Sequence, residues 1–271
     1  MKFRKKQAAG RWPQRRHARK MLLLDGCVQP AMAPNINSAA ARVLDALEVE
    51  VLIAAKAGCC GAIRYHLNDQ DGGLDDMRRN IDAWWPYVDA SNGQEIEAIV
   101  MTASGCGVTV KEYGHLLAGD AAYAEKKARK NIRADARSER NPACVRDPIA
   151  RQARWKKISK RVAYHPPCTL QHGQQIRGKV EGLLRSAGVD VQLCADSHLC
   201  CGSAGTYSVL QPELSYQLRD NKLRNLQATQ PDMIVSANIG CLTHLQSGTA
   251  TPVQHWIELL DQALQQPPEQ V

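Results

Sequence analysis

The sequence predicts an α/β protein of two tandem, duplicated cysteine-rich domains, each a small, mostly parallel sheet with helices. Three observations predict it. Ten cysteines occur in 271 residues, eight of them in two quartets of matching spacing, and short apolar runs alternate with helical patterns between them. Cys27 and Cys59 are separated by 31 residues, as are Cys168 and Cys200. Each second member opens a Cys-Cys-Gly triplet, Cys59-Cys60-Gly61 and Cys200-Cys201-Gly202. The offset of 141 persists as far as Met77-Arg78-Arg79-Asn80, which lies over Leu218-Arg219-Asp220-Asn221. It then becomes 135, which places Glu97–Val100 over Asp232–Val235 and Gly105-Cys106 over Gly240-Cys241. Cys144 and Cys194 have no partner at either offset and read as ordinary thiols.

In the first copy, Met21–Asp25 reads as a strand ending at Gly26-Cys27, and Ser38–Leu47 as a helix with Val43, Leu44 and Leu47 on one face. Val49–Ala55 is a second strand, leading into the loop with Gly58-Cys59-Cys60-Gly61. A longer helix runs through Met77, Ile81 and Trp84-Trp85 and is predicted to stop near Pro86, with the tryptophans used for helix packing. Ala98–Thr102 is a third strand, ending at Ser104-Gly105-Cys106. The second copy repeats this with strands at Val162–Tyr164, Val189–Leu193 and Met233–Ser236. All eight matched cysteines thus follow the carboxyl ends of strands, where open α/β sheets gather their sites.

Charge sets the boundaries. Residues 1–20 carry nine Lys/Arg and no acid, residues 126–161 carry fourteen Lys/Arg and three acids, and everything else is net acidic. The predicted organisation is a basic tail (1–20), a first domain (21–125), a basic linker (126–161), a second domain (162–264) and a C-terminal tail (265–271). Neither basic stretch has the aromatic or motif support of a nucleic-acid reading surface, so no nucleic-acid partner is expected and both read as solvated charge. No apolar run approaches 18 residues, and Met21–Leu24 is too short for the core of a secretory signal. The expected location is the cytoplasm.

Three groups could occupy four such cysteines. Disulfides suit neither a reducing compartment nor adjacent Cys-Cys pairs. Structural zinc accepts four thiolates but usually takes them as close CxxC pairs, and here Thr109 and His244 stand three residues after Cys106 and Cys241. An iron–sulfur cluster accepts cysteines from dispersed loops and is the favoured reading, with zinc and buried thiols left open. His165, His172, His198 and His244 all lie within four residues of a matched cysteine in the second copy and are candidates for tuning a cluster or coupling protons. GxGxxG, GxxxxGK[ST] and GxSxG are all absent, so no flavin or NAD site is expected in this chain.

The twofold C-x31-CCG…C pattern resembles the cysteine-rich "CCG" domain pair found in heterodisulfide reductase. Iron–sulfur subunits of anaerobic glycerol-3-phosphate, lactate and glycolate dehydrogenases share it. Local strings, among them Gly26–Pro30, Asn80–Pro86, Thr102–Gly107, Tyr164–His172, Cys200–Tyr207 and Ala237–Cys241, look like the glycolate oxidase iron–sulfur subunit. The resemblance covers about 21–125 and 162–264. It implies that Cys27, Cys59, Cys60 and Cys106 hold one cluster, and Cys168, Cys200, Cys201 and Cys241 another, with 4Fe–4S the expected type. It also implies flavin-containing partner subunits that oxidise glycolate, and electron delivery to a quinone-type acceptor by peripheral association at the cytoplasmic face of the inner membrane. The family pattern begins with a ferredoxin-like domain of two C-x2-C-x2-C-x3-C-P runs, which these residues do not contain. The expectation is therefore a truncated or split gene, with a separate ferredoxin-domain chain as a further partner. The other readings are a heterodisulfide-reductase-like or lactate-utilisation oxidoreductase subunit, and a non-functional metal-stabilised fragment.

Overall fold

Near-continuous apolar runs such as Met21-Leu22-Leu23-Leu24 suit strands covered on both faces, as parallel sheets are. The computed structural model, which describes residues 8–88, 96–123, 155–156 and 158–264, shows two such sheets. The chain divides into two compact units, Lys6–Asn141 and one holding Pro142–Val271. Cys144, the 265–271 tail and nearly all of the expected 126–161 linker lie outside the described residues.

The first unit has a three-stranded parallel sheet in the order β2-β1-β3, formed by β1 (Arg19–Leu23), β2 (Val49–Leu52) and β3 (Ile99–Val100). Helices α1 (Gln29–Met32) and α2 (Asn35–Asp45) connect β1 to β2, and α3 (Ala62–His66) and α4 (Gln70–Val88) connect β2 to β3. Helix α5 (Ser104–Leu116) follows β3. Leu22, Met77 and Trp84 are fully buried in the core, and Trp84 stacks on Tyr113 at 6.2 Å between centroids. Burying each such side chain stabilises the fold by about 1.5–3 kcal/mol.

In the second unit the strands β4 (Arg161–His165), β5 (Asp190–Leu193), β6 (Met233–Ser236) and β7 (Val253–His255) form a parallel sheet ordered β5-β4-β6-β7. A π-helical turn, Thr169–Gly173, follows β4 and leads to α6 (Lys179–Ser186). The remaining helices are α7 (Tyr207–Leu210), α8 (Pro212–Gln227), α9 (Ile239–Gln246) and α10 (Trp256–Ala263).

The helix through Trp84-Trp85 ends at Val88, two residues past Pro86, as expected of a proline that removes a helix hydrogen bond. Two features differ from expectation. β7 carries no sequence signal of its own: three residues after Pro252 are too few to show alternation, and pairing with β6 defines the strand. Residues 10–20 are docked rather than free. Arg16 pairs with Glu50, His17 Nε2 lies 2.8 Å from Asp45, and Arg19 holds Glu97 through two hydrogen bonds of 2.7 and 2.9 Å. The acidic surface of the first domain thus neutralises part of the basic segment. The Glu50 carboxyl is nearly buried, which favours its neutral form, yet the Arg16 guanidinium outweighs that and holds it below its usual range.

Candidate metal centre

The quartets share two local devices, a left-handed glycine after the Cys-Cys pair and a helix start under the fourth cysteine, and the first quartet adds a turn of its own. β1 ends in a turn at Gly26 (φ +77°), which delivers Cys27 to the sheet edge. The loop after β2 carries Cys59 and Cys60 and closes at Gly61 (φ +84°). A Cβ on Gly61 would lie 2.5 Å from the Gly73 carbonyl oxygen, so only glycine lets the loop press against α4. Gly202 repeats this, with φ +90° and the Ser215 carbonyl of α8 closer still. The fourth cysteine of each set, Cys106 or Cys241, sits in the first turn of a helix after the third strand, where free backbone N–H groups favour thiolate over thiol.

The sulfurs form a chain within each set. Cys27 Sγ lies 3.5 Å from Cys59 Sγ, and Cys59 and Cys106 both contact Cys60. Cys168 contacts Cys200, Cys200 contacts Cys201, and Cys201 contacts Cys241. Hydrogen bonds accepted from neighbouring thiols hold Cys59, Cys106, Cys200 and Cys241 below the usual thiol range. Contacts with those same neighbours, together with burial, push Cys27, Cys60, Cys168 and Cys201 up. The Gly202 N–H donates to Cys200 Sγ at 3.3 Å, a contact that stabilises an anionic sulfur. Thiols gathered in contact in this way, half of them lowered, suit a cation that takes several thiolates at once. Cys194, outside both sets, is buried and raised by that burial, as an ordinary core thiol is.

The four candidate histidines separate. His165 is completely buried, and its ring lies with the sulfurs of Cys201 and Cys241, one donor atom from each within 4.8 Å of the others. His244 is buried under the Gly202 turn, its Nε2 3.1 Å from Ser215 Oγ. His172 and His198 are exposed, and His172 Nε2 bonds the His198 carbonyl at 2.9 Å.

A family model described as "CCG: Cysteine-rich domain" matches residues 21–111 and again 162–246. The chain belongs to this cysteine-rich CCG domain family. Among curated relatives, the "Glycolate oxidase iron-sulfur subunit" of Escherichia coli (strain K12) is 49% identical over 93% of this chain and 60% of its own length. The "Probable glycolate oxidase iron-sulfur subunit" of Bacillus subtilis (strain 168) is 26% identical over 85% of the chain and 50% of its own length. The "Lactate utilization protein A" of Bacillus licheniformis is 26% identical over 83% of the chain and 90% of its own length. The chain thus spans only about half to three fifths of the two glycolate oxidase relatives. The paired CCG domains and these relatives support an iron–sulfur cluster as the bound group. No helix among the described residues is long and apolar enough to cross a membrane.

One part of the CCG site escaped the sequence reading. In the first repeat Asn80, fully buried on α4, accepts from Gly58 N–H at 2.8 Å and donates to the Cys59 carbonyl at 2.8 Å. It also donates to Tyr113 Oη, which in turn donates to the Cys60 carbonyl at 2.9 Å. The Cys-Cys backbone is therefore clamped from α4 and α5 together. The repeat alignment offered a hint, since Asn80 lies over Asn221. But Asn221 is exposed and accepts from Arg224, so the shared letter carries no shared role.

Proposed function

We propose that this chain is the iron–sulfur electron-transfer part of a glycolate oxidase complex. On this reading Cys27, Cys59, Cys60 and Cys106 hold one cluster and Cys168, Cys200, Cys201 and Cys241 a second, each of the 4Fe–4S type. The observation that carries it is the duplicated, pre-gathered thiol quartet in a chain 49% identical to a glycolate oxidase iron–sulfur subunit. A cluster supplies one-electron steps when bound, and the protein supplies position and electrostatics. The chain's own contribution is to hold four thiolates at each sheet edge, to fix the Cys-Cys turns, and to aim N–H groups such as that of Gly202 at sulfur.

Partner flavin-containing subunits would oxidise glycolate to glyoxylate, and this chain would not do so alone. Electrons would leave to a quinone-type acceptor at the cytoplasmic face of the inner membrane. A lactate-utilisation role is the second reading, and it is supported by the similarity to a lactate utilization protein A, 26% identical over 83% of this chain. Co-purification followed by dye reduction with glycolate or with lactate separates them. Glycolate-dependent reduction that needs this chain supports the first reading, and lactate-dependent reduction replaces it with the second.

A further inference from the structure

The second repeat holds three fully or nearly buried histidines, and two of them are satisfied by oxygen or nitrogen partners. His255 Nδ1 accepts from Ile257 N–H at 3.1 Å in a helix cap, and His244 Nε2 bonds Ser215. His165 is different. It has no solvent exposure, and neither ring nitrogen has an oxygen or nitrogen partner. A buried imidazole so placed must find its compensation in sulfur, and its side chain interacts with Cys241, helping to hold that thiol below its usual range. What lies beside it is sulfur, since its donor atom, Cys201 Sγ and Cys241 Sγ are mutually within 4.8 Å and all three residues are buried. The backbone fixes it there. His165 is the last residue of β4, in register with Ser236 of β6, and Ser236 Oγ donates to the His165 carbonyl at 2.9 Å. In the first repeat the same position, at the 141-residue offset, is Leu24, a buried core residue with no side-chain donor.

From this juxtaposition we propose that His165 is a nitrogen ligand of the metal centre in the second repeat, which makes that site a mixed sulfur–nitrogen site beside an all-sulfur first site. The proposal rests on the second quartet binding a metal and goes beyond the cysteine assignment. Imidazole and thiolate together suit zinc and iron alike, so the donor set is the claim and the metal is read separately. In an iron–sulfur cluster, where each iron has one outer position, His165 would take the place of one thiolate of the quartet, and histidine in place of cysteine raises the potential, as in Rieske centres. The two sites would then differ in potential within one chain.

The test is pulsed EPR of the reduced, anaerobically purified full chain, grown with 15N-labelled or unlabelled histidine. Cys59→Ser/Cys60→Ser is used to empty the first site, and His165→Leu to remove the proposed donor. The expected result is a histidine-nitrogen coupling that survives in the double serine variant and is lost in His165→Leu. The labelled wild-type spectrum stands even if His165→Leu fails to fold, and His165→Gln provides a second, more polar replacement. Iron and sulfide in both sites with no histidine-nitrogen coupling would overturn the proposal while leaving the electron-transfer reading intact. If the second site instead holds zinc, X-ray absorption decides. A nitrogen neighbour lost in His165→Leu upholds the His165 assignment and overturns the iron reading, and an all-sulfur shell overturns both.

Discussion

The two repeats present the same cysteines but hold them differently. In the first, the Cys-Cys turn is gripped by Asn80 and Tyr113, an amide and a phenol reaching from α4 and α5. In the second, Ser215 Oγ donates to the Gly202 carbonyl at 2.7 Å, His244 backs Ser215, and Lys222 Nζ donates to the Asp196 carbonyl before the turn. Beyond the parallel sheet with its first strand central, the site features the repeats share are the cysteines, the left-handed glycine after them, and the helix start under the fourth sulfur. Duplication therefore preserved the donors and the backbone that presents them, and left the scaffolding free to be rebuilt. The donors are set by what they bind, whereas any polar pair that satisfies the same carbonyls can hold the turn.

The comparison can be broken most severely at the cysteines. Replacing Cys59 and Cys60 by serine should remove one site's metal, about four iron and four sulfide for a 4Fe–4S cluster, and leave the second site filled. Replacing Cys200 and Cys201 should do the reverse. Iron and sulfide analysis of the two variants reads this directly, and a variant that lost both sites would show the repeats to be coupled.

Next in size are the glycines. Gly61→Ala and Gly202→Ala should each cost about 2–4 kcal/mol, because a left-handed residue gains a Cβ that strikes helix backbone. Similar losses in melting temperature for the two would confirm that this device is common to both repeats. The scaffolding variants should differ. Asn80→Ala leaves the Gly58 N–H and the Cys59 carbonyl unpaired and should cost about 2–3 kcal/mol, and Ser215→Ala, which strands one carbonyl, about 1–2 kcal/mol. Urea unfolding of each variant would show whether that ranking holds.

The smallest effect belongs to the docked basic segment. Its Arg16–Glu50 pair is exposed on the arginine side, so Arg16→Ala should cost under about 1 kcal/mol. Glu50 is held below its usual range, so its stabilisation is complete above the ordinary carboxylate pKa of about 4.3 and is lost as pH falls through the lower, folded value. Protection from hydrogen exchange at residues 10–18, taken relative to the intrinsic rate at each pH, should therefore fall with acid in the wild type, and Glu50→Gln should show less of that pH dependence.

Much of this was legible in the sequence because the signals are local or periodic. The repeat offset located all eight cysteines, and apolar runs placed six of the seven strands among the described residues to within a few residues. β7 was not legible, since three residues after a proline become a strand only through pairing with β6. The docking of residues 10–20 was hidden because its partners, Asp45, Glu50 and Glu97, are distant in sequence. Proximity to cysteine gave four histidines equal standing. Only side-chain direction separates His165, at the sulfurs, from His172 and His198, which face solvent.

The central claim is that both quartets are built to bind metal and that the metal is an iron–sulfur cluster. Iron, acid-labile sulfide and zinc in the anaerobically purified chain, with EPR after reduction, test it most directly. The account predicts about eight iron and eight sulfide per chain, little zinc, and EPR signals from two inequivalent centres. Zinc alone, or no metal after anaerobic reconstitution with iron and sulfide, would contradict it and leave a structural remnant in place of an electron carrier.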